Sequence, residues 1–228
     1  WGMGFEWAND GIRLAYARPD GIGIYDTRLD ILQPLVSIVP VQTGGDWAWV
    51  PGLSWAPDGN TLFAVQHVVP EGSSEGGESN RYDLLAIPLT GGSPVNLIKD
   101  VGMFAYPVPS PLKSTLRSEA SEGGDAPVLE VAYQVAYLQA MFPAQSEDSR
   151  YRLFIIDRDG SNKLGLFPSE GASGIEPQRV VWSPTHLEDT GHYAIALLFQ
   201  GNIWLVDAVD GRAQQITGDG MTVRIDWR

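Results

Sequence analysis

The sequence predicts an all-β protein, a β-propeller of four-stranded antiparallel blades, on three observations. The first is a Trp-turn-strand unit that recurs along the chain. It is clearest at residues 53–68, L-S-W-A-P-D-G-N-T-L-F-A-V-Q-H-V. It starts again at Phe5, as F-E-W-A-N-D-G-I-R-L-A-Y-A, and at Val181, as V-W-S-P with G-H-Y-A-I-A-L a few residues on. The second is composition: 26 Gly and 16 Pro against 19% charged residues suit short strands and tight turns better than helices. The third is spacing. Trp7, Trp55, Val108, Trp182 and Trp227, each just before a turn, lie 48, 53, 74 and 45 residues apart. A four-stranded propeller blade takes roughly 40–50 residues. The chain therefore reads as four repeats (5–46, 47–104, 105–178 and 179–220) and, at 221–228, the opening strand of a further blade.

In the first repeat, strands are expected near 5–7, 13–17, 23–26 and 34–39, each bounded by Gly, Pro or Asp. The second repeat reads 53–55, 61–68, 83–89 and 94–98. Pro57 presets φ and Gly59 accepts a positive φ, so Asp58-Gly59 closes a hairpin. Between its second and third strands, P-E-G-S-S-E-G-G-E-S-N has no apolar residue and is expected to be a mobile, solvated loop.

The third repeat departs most. Its Y-P-V-P-S-P keeps Pro but loses Asp-Gly. A polar insert follows at 112–127, where Leu112 and Leu116, four residues apart, suit one face of a short helix. V-L-E-V-A-Y-Q-V-A-Y-L-Q-A-M-F then reads as one or two long strands, from its β-branched and aromatic content. Strands at 152–156, closed by Asp159-Gly160, and 163–167 complete the repeat. The fourth repeat is V-V-W-S-P, an insert, H-Y-A-I-A-L-L-F, G-N-I-W-L-V-D, Asp210-Gly211 and A-Q-Q-I-T. The closing V-R-I-D-W-R aligns with F-E-W. Middle strands such as 203–206 are apolar without alternation, as strands covered on both faces are. Blades sandwiched between blades would provide that cover.

The W-x-P-D-G hairpin, the I-Y-D strand at 24–26 and the Gly-rich hairpins together resemble the TolB-like β-propeller repeat. The likeness is strongest over 53–89, weaker over 5–26 and 181–217, and weakest over 106–167. Full rings of that family usually have six or more blades, so the resemblance implies a partial ring or one completed by other segments. A closed four-bladed ring is the alternative. Function is not implied, because this repeat serves many roles.

Bulk properties narrow the function. A formal charge of −13 disfavours nucleic acid and anionic lipid as general partners. With no Cys, disulfides, thiol catalysis and thiolate metal sites are excluded. No run of eighteen apolar residues is present, and no signal peptide is visible. The opening Trp-Gly-Met-Gly reads as a trimmed or processed piece. A periplasmic or extracellular bacterial location is the expectation.

The loops leading into the first strand of each blade carry large side chains: Trp47 and Trp49, then Met103, Phe104 and Tyr106, then Glu176 and Arg179. Strand packing does not demand aromatics in Gly/Pro loops, and aromatic anchors are enriched at interfaces, so these seven residues are the expected rim for a protein or peptide partner. The competing reading is that the rings plug gaps between blades. The Asp-Gly pairs are read as turn chemistry. D-R-D-G-S-N at 157–162 has a faint calcium-loop look, but Pro168 stands where the distal Glu belongs, so a hairpin turn is preferred. His186 and His192 flank Glu188 and Asp189, a possible metal set whose loop spacing fixes no geometry. No G-x-S-x-G elbow, phosphate loop or dinucleotide fingerprint occurs. No catalytic residue, metal ligand or cofactor is therefore assigned. The leading expectation is a non-enzymatic scaffold, a module of a larger envelope or extracellular protein. Alternatives are the gating propeller of a serine hydrolase with its catalytic domain elsewhere, and a carbohydrate-binding or carbohydrate-active propeller.

Overall fold

The computed structural model of the chain describes residues 3–41, 43, 46–69, 79–117 and 128–227. The loop residues 70–78 and the insert residues 118–127 lie outside them. Four four-stranded antiparallel sheets succeed one another along the chain. Blade 1 is β1 (Gly4–Trp7), β2 (Arg13–Arg18), β3 (Gly21–Asp26) and β4 (Ile31–Ser37). Blade 2 is β5 (Leu53–Trp55), β6 (Thr61–Val68), β7 (Arg81–Pro88) and β8 (Val95–Ile98). Blade 3 opens with β9 (Val108–Pro109). A separate hairpin follows, β10 (Lys113–Arg117) with β11 (Val128–Ala132). The blade resumes with β12 (Gln134–Ala140), β13 (Tyr151–Asp157) and β14 (Leu164–Phe167). Blade 4 is β15 (Val181–Trp182), β16 (Ala194–Phe199), β17 (Asn202–Asp207) and β18 (Ala213–Gln215). A single 3-10 turn, Pro143–Gln145, is the one helical element among the described residues.

Each blade pairs its strands in chain order, the meander expected of a propeller. The blades meet in series: β1 and β2 touch β5, β5 touches β9, and β14 touches β17. The first hairpin of each blade closes alike. The amides of Ala8, Ala56, Ser110 and Ser183 donate to the carbonyls of Arg13, Thr61, Gln134 and Ala194, all at 2.8 Å. The residue before each of these is therefore structurally equivalent: Trp7, Trp55, Pro109 and Trp182. Pro109, not Val108, holds the third position, and the sequence alignment was one residue out there.

This equivalence defines the joint between blades. Trp55 Nε1 donates to Glu6 O, and Trp182 Nε1 donates to Val108 O, each at 2.8 Å. Glu6 and Val108 are themselves equivalent, so one joint is built twice. Pro109 has no indole, so the joint between blades 2 and 3 lacks this bond. Across each blade, strand register sets a row of side chains beside the Trp. Trp55, Leu62 and Ile87 form one row, and Trp182, Ile195 and Val206 another. All six are buried. Burying a large aliphatic side chain contributes about 1.5–3 kcal/mol, so these rows are a main source of blade-to-blade cohesion. The core divides into two clusters, one on blades 1 to 3 and one on blades 3 and 4, with Phe104 packed against both.

Three expectations are corrected. Leu112 and Leu116 lie on no helix; Lys113–Arg117 is a strand whose backbone pairs with Val128–Ala132. A hairpin partner outweighs a two-residue helical spacing. Residues 221–227 form no strand, although Thr222 N donates to Gly201 O at 2.9 Å. No described strand pairs with 221–227, and a lone strand has no ladder to join. In blade 4, Ile203, Trp204 and Leu205 are only half-buried, because the cover expected on their second face is missing among the described residues. The doubly covered strands are those of blade 2, where Leu62–Val65 and Tyr82–Leu85 are buried.

Candidate functional site

The first strands converge on an axis. At the end where they begin, a cavity of about 460 Å³ opens, lined among others by Phe5, Glu6, Pro51, Tyr106, Pro177 and Arg179. Each lining segment leads into an inner strand or lies at its start, so the fold itself gathers residues far apart in sequence. Arg179 Nη2 reaches Glu6 Oε2 at 2.7 Å, an ion pair 173 residues apart that links blade 4 to blade 1. Tyr106 has a φ of 43°, a left-handed conformation uncommon for a bulky residue. Its ring lies over Gly52, where an added Cβ would come within 2.9 Å of Tyr106 Cδ1. Gly at position 52 is thus what lets the ring lie flat against the lead-in loop. Phe104 stacks on the other side, centroids 6.1 Å apart. Burial pushes the Tyr106 phenol pKa up, so it stays a neutral donor.

The structure sorts the seven expected rim residues. Tyr106 and Arg179 line the mouth. Glu176 is exposed beside it and pairs with Arg150. Trp47 is exposed but lies outside the mouth cavity. Trp49 and Met103 are corrected from rim to core. Trp49 is 2% exposed, donates Nε1 to Met103 O at 3.0 Å and meets Tyr82 edge-on at 5.1 Å. Phe104 is part-buried between the two core clusters. For these three the gap-plugging reading holds. Sequence reasoning missed Glu6 and Phe5. The available signal was Glu6 itself, a charge placed between two aromatics in an inner strand.

A second cavity, of about 510 Å³, lies between blades 3 and 4 and is lined by Lys113, Tyr133, Asp157, His186, His192 and other residues. His192 Nδ1 sits 2.9 Å from Asp207 Oδ2. His186 packs on Tyr193, ring centroids 4.2 Å apart. Burial pushes the Asp207 carboxyl pKa up. Hydrogen bonds from Val209 N–H, His192 and Asp210 N–H outweigh it and hold the carboxyl below its ordinary value. Asp26 and Asp157 end their strands in the same way and cap their own turns, Asp26 through Arg28 and Leu29 amides and Asp157 through Asn162 Nδ2. Asp207 caps its own turn in the same way, through the Val209 and Asp210 amides, and His192 is an additional partner that the other two blades lack. At 157–162, Ser161 N and Oγ bond Asp159, giving a capped hairpin turn. No group of three acidic or His side chains suited to a metal occurs among the described residues.

No family model matches the chain, and no curated protein matches it. Among solved structures it is similar to Porphyromonas gingivalis dipeptidyl peptidase 4, at 12% identity and a TM-score of 0.31. That match covers 92% of this chain but only 38% of the other. A likeness at this level supports neither the fold nor a function; the all-β, propeller-like class rests on the four meandering blades themselves. Among the described residues, no helix is long and apolar enough to cross a membrane.

Proposed function

We propose that the chain is a non-enzymatic propeller module of the TolB-like kind, binding a protein or peptide partner at the axial mouth. In this reading it is a module of a larger envelope or extracellular protein, consistent with its acidic, Cys-free composition. The supporting observation is the lining of the mouth: the flat Tyr106 ring and the Pro51, Pro107 and Pro177 segments surround one Glu6–Arg179 pair. Apolar anchors around a single orienting charge pair suit an extended peptide segment. The carbohydrate reading fits less well. Trp49 is sealed in the core, and the one carboxylate lining the mouth, Glu6, is held by Arg179. A paired-carboxylate mechanism needs two.

The test is a displayed peptide library panned on the full chain. Enriched sequences are expected to bind the wild type and to lose binding on Tyr106→Phe and on Arg179→Gln, with both variants still folded by circular dichroism at the assay temperature. Peptides that bind both variants as well as the wild type would overturn the reading. Should a catalytic domain be found attached, with its turnover altered by Arg179→Gln, the gating propeller of a serine hydrolase would replace it.

A further inference from the structure

His67 is a buried histidine, 2% exposed, near the end of β6 and opposite Tyr82 of β7. Both nitrogens of its ring are engaged, and both face backbone carbonyls. Nδ1 lies 2.9 Å from Val39 O, and Nε2 lies 2.7 Å from Ser79 O. Val39 belongs to the connection that follows β4, and Ser79 stands just before β7. One side chain thus ties the crossing from blade 1 to the two middle strands of blade 2.

A carbonyl oxygen only accepts. A neutral imidazole has one N–H and one bare lone pair, so it satisfies one carbonyl and sets its lone pair against the other. The imidazolium, with two N–H groups, donates to both. The two lengths match the range of about 2.7–2.9 Å for charge-assisted bonds. Both carbonyls are held in place. The Ser79 hydroxyl donates to Val68 O and accepts from Arg81 N, and Ile38 N, next to Val39, donates to Asp20 O at 3.0 Å. The Tyr82 ring centroid lies 5.3 Å from that of His67, a separation at which an aromatic ring attracts a cation. Burial pushes the Tyr82 phenol pKa up, so that ring stays neutral. The charged groups on the neighbouring elements are engaged or exposed. Arg81 pairs with Asp100, and Asp83 accepts from Asn96 Nδ2 and Asp100 N. Glu147 of blade 3 is exposed and acts on the Tyr82 hydroxyl, and Asp46 of the lead-in loop is exposed.

We infer that His67 is a buried imidazolium and that it fastens blade 2 to the connection from blade 1 as a proton-dependent clasp. With the ring charged, both bonds form. On loss of the proton one of them opens, and either the blade 1 connection or the lead into β7 is let go. The folded chain holds this proton and the unfolded chain gives it up to neutral water. The clasp therefore adds stability at acid pH, and that contribution is lost as pH rises. Histidine is the side chain whose charge changes over this interval. His67 does not line the mouth, so the clasp stands or falls apart from peptide binding.

Long-range proton–nitrogen NMR of the full chain reads the ring directly, with the other two histidines assigned through His186→Gln and His192→Gln. At neutral pH both His67 nitrogens are expected to carry protons, and on raising the pH one should become bare. A bare His67 nitrogen at neutral pH would overturn the clasp. Stability gives a second reading. The urea midpoint of the wild type minus that of His67→Gln should be larger at about pH 6 than at about pH 8. Gln has no proton to lose over this interval, so a difference equal at both pH values would also overturn it. Should His67→Gln fail to fold, the ring spectrum of the wild type alone decides.

Discussion

Trp55 and Trp182 each seal a joint with the ring and bond across it with the indole nitrogen. A net protein hydrogen bond is worth about 1 kcal/mol. Trp55→Phe and Trp182→Phe should therefore each lower unfolding stability by about that much in urea, with a small further loss of packing. Trp7→Phe should change it by less than about 0.5 kcal/mol, as exposed positions do. Asp10 offers a pH readout. Amide hydrogen bonds from Arg13 and Ile12 hold its carboxyl at about 2, against an ordinary 3.8. A depressed folded value means stability that is present above the ordinary value and is lost as pH falls toward about 2. The difference in melting temperature between wild type and Asp10→Asn should be present at neutral pH and shrink across that interval. At this scale the joint Trps were legible, because they recur beside turn chemistry. Trp49 was not. Its Gly-rich neighbourhood looks like surface, and its acceptor, Met103 O, lies 54 residues away, where no local pattern can announce it.

The strands were legible wherever a turn announced them. Gly59 shows why: its φ of 70° closes the β5–β6 hairpin, and Asp58 caps the turn through Asn60 N. Gly59→Ala should cost about 1–2 kcal/mol for the left-handed backbone, read as a lower guanidinium midpoint with an unchanged slope. The misreadings share one cause. Leu112 with Leu116, and the segment 221–227, were judged from their own residues, whereas a strand exists only when a neighbour supplies its ladder. Lys113–Arg117 has such a neighbour in Val128–Ala132, and residues 221–227 have none among the described strands. The candidate mouth was half legible. The loops leading into the inner strands were found, but which of their rings face inward depended on contacts such as Phe104 between two core clusters.

At the scale of the molecule, four meanders are strung about one axis, and each is joined to the next through the face its predecessor presents. The mouth exists because the inner strands start together, which is how Glu6 and Arg179 come within 2.7 Å. Exchange of the indole protons, followed by NMR with the signals assigned through single Trp→Phe variants, tests this stacking most directly. The Trp55 and Trp182 protons, bonded to Glu6 O and Val108 O of the preceding blades, should exchange far more slowly than that of Trp47. Trp55 and Trp182 protons that exchange as fast as that of Trp47 would contradict it.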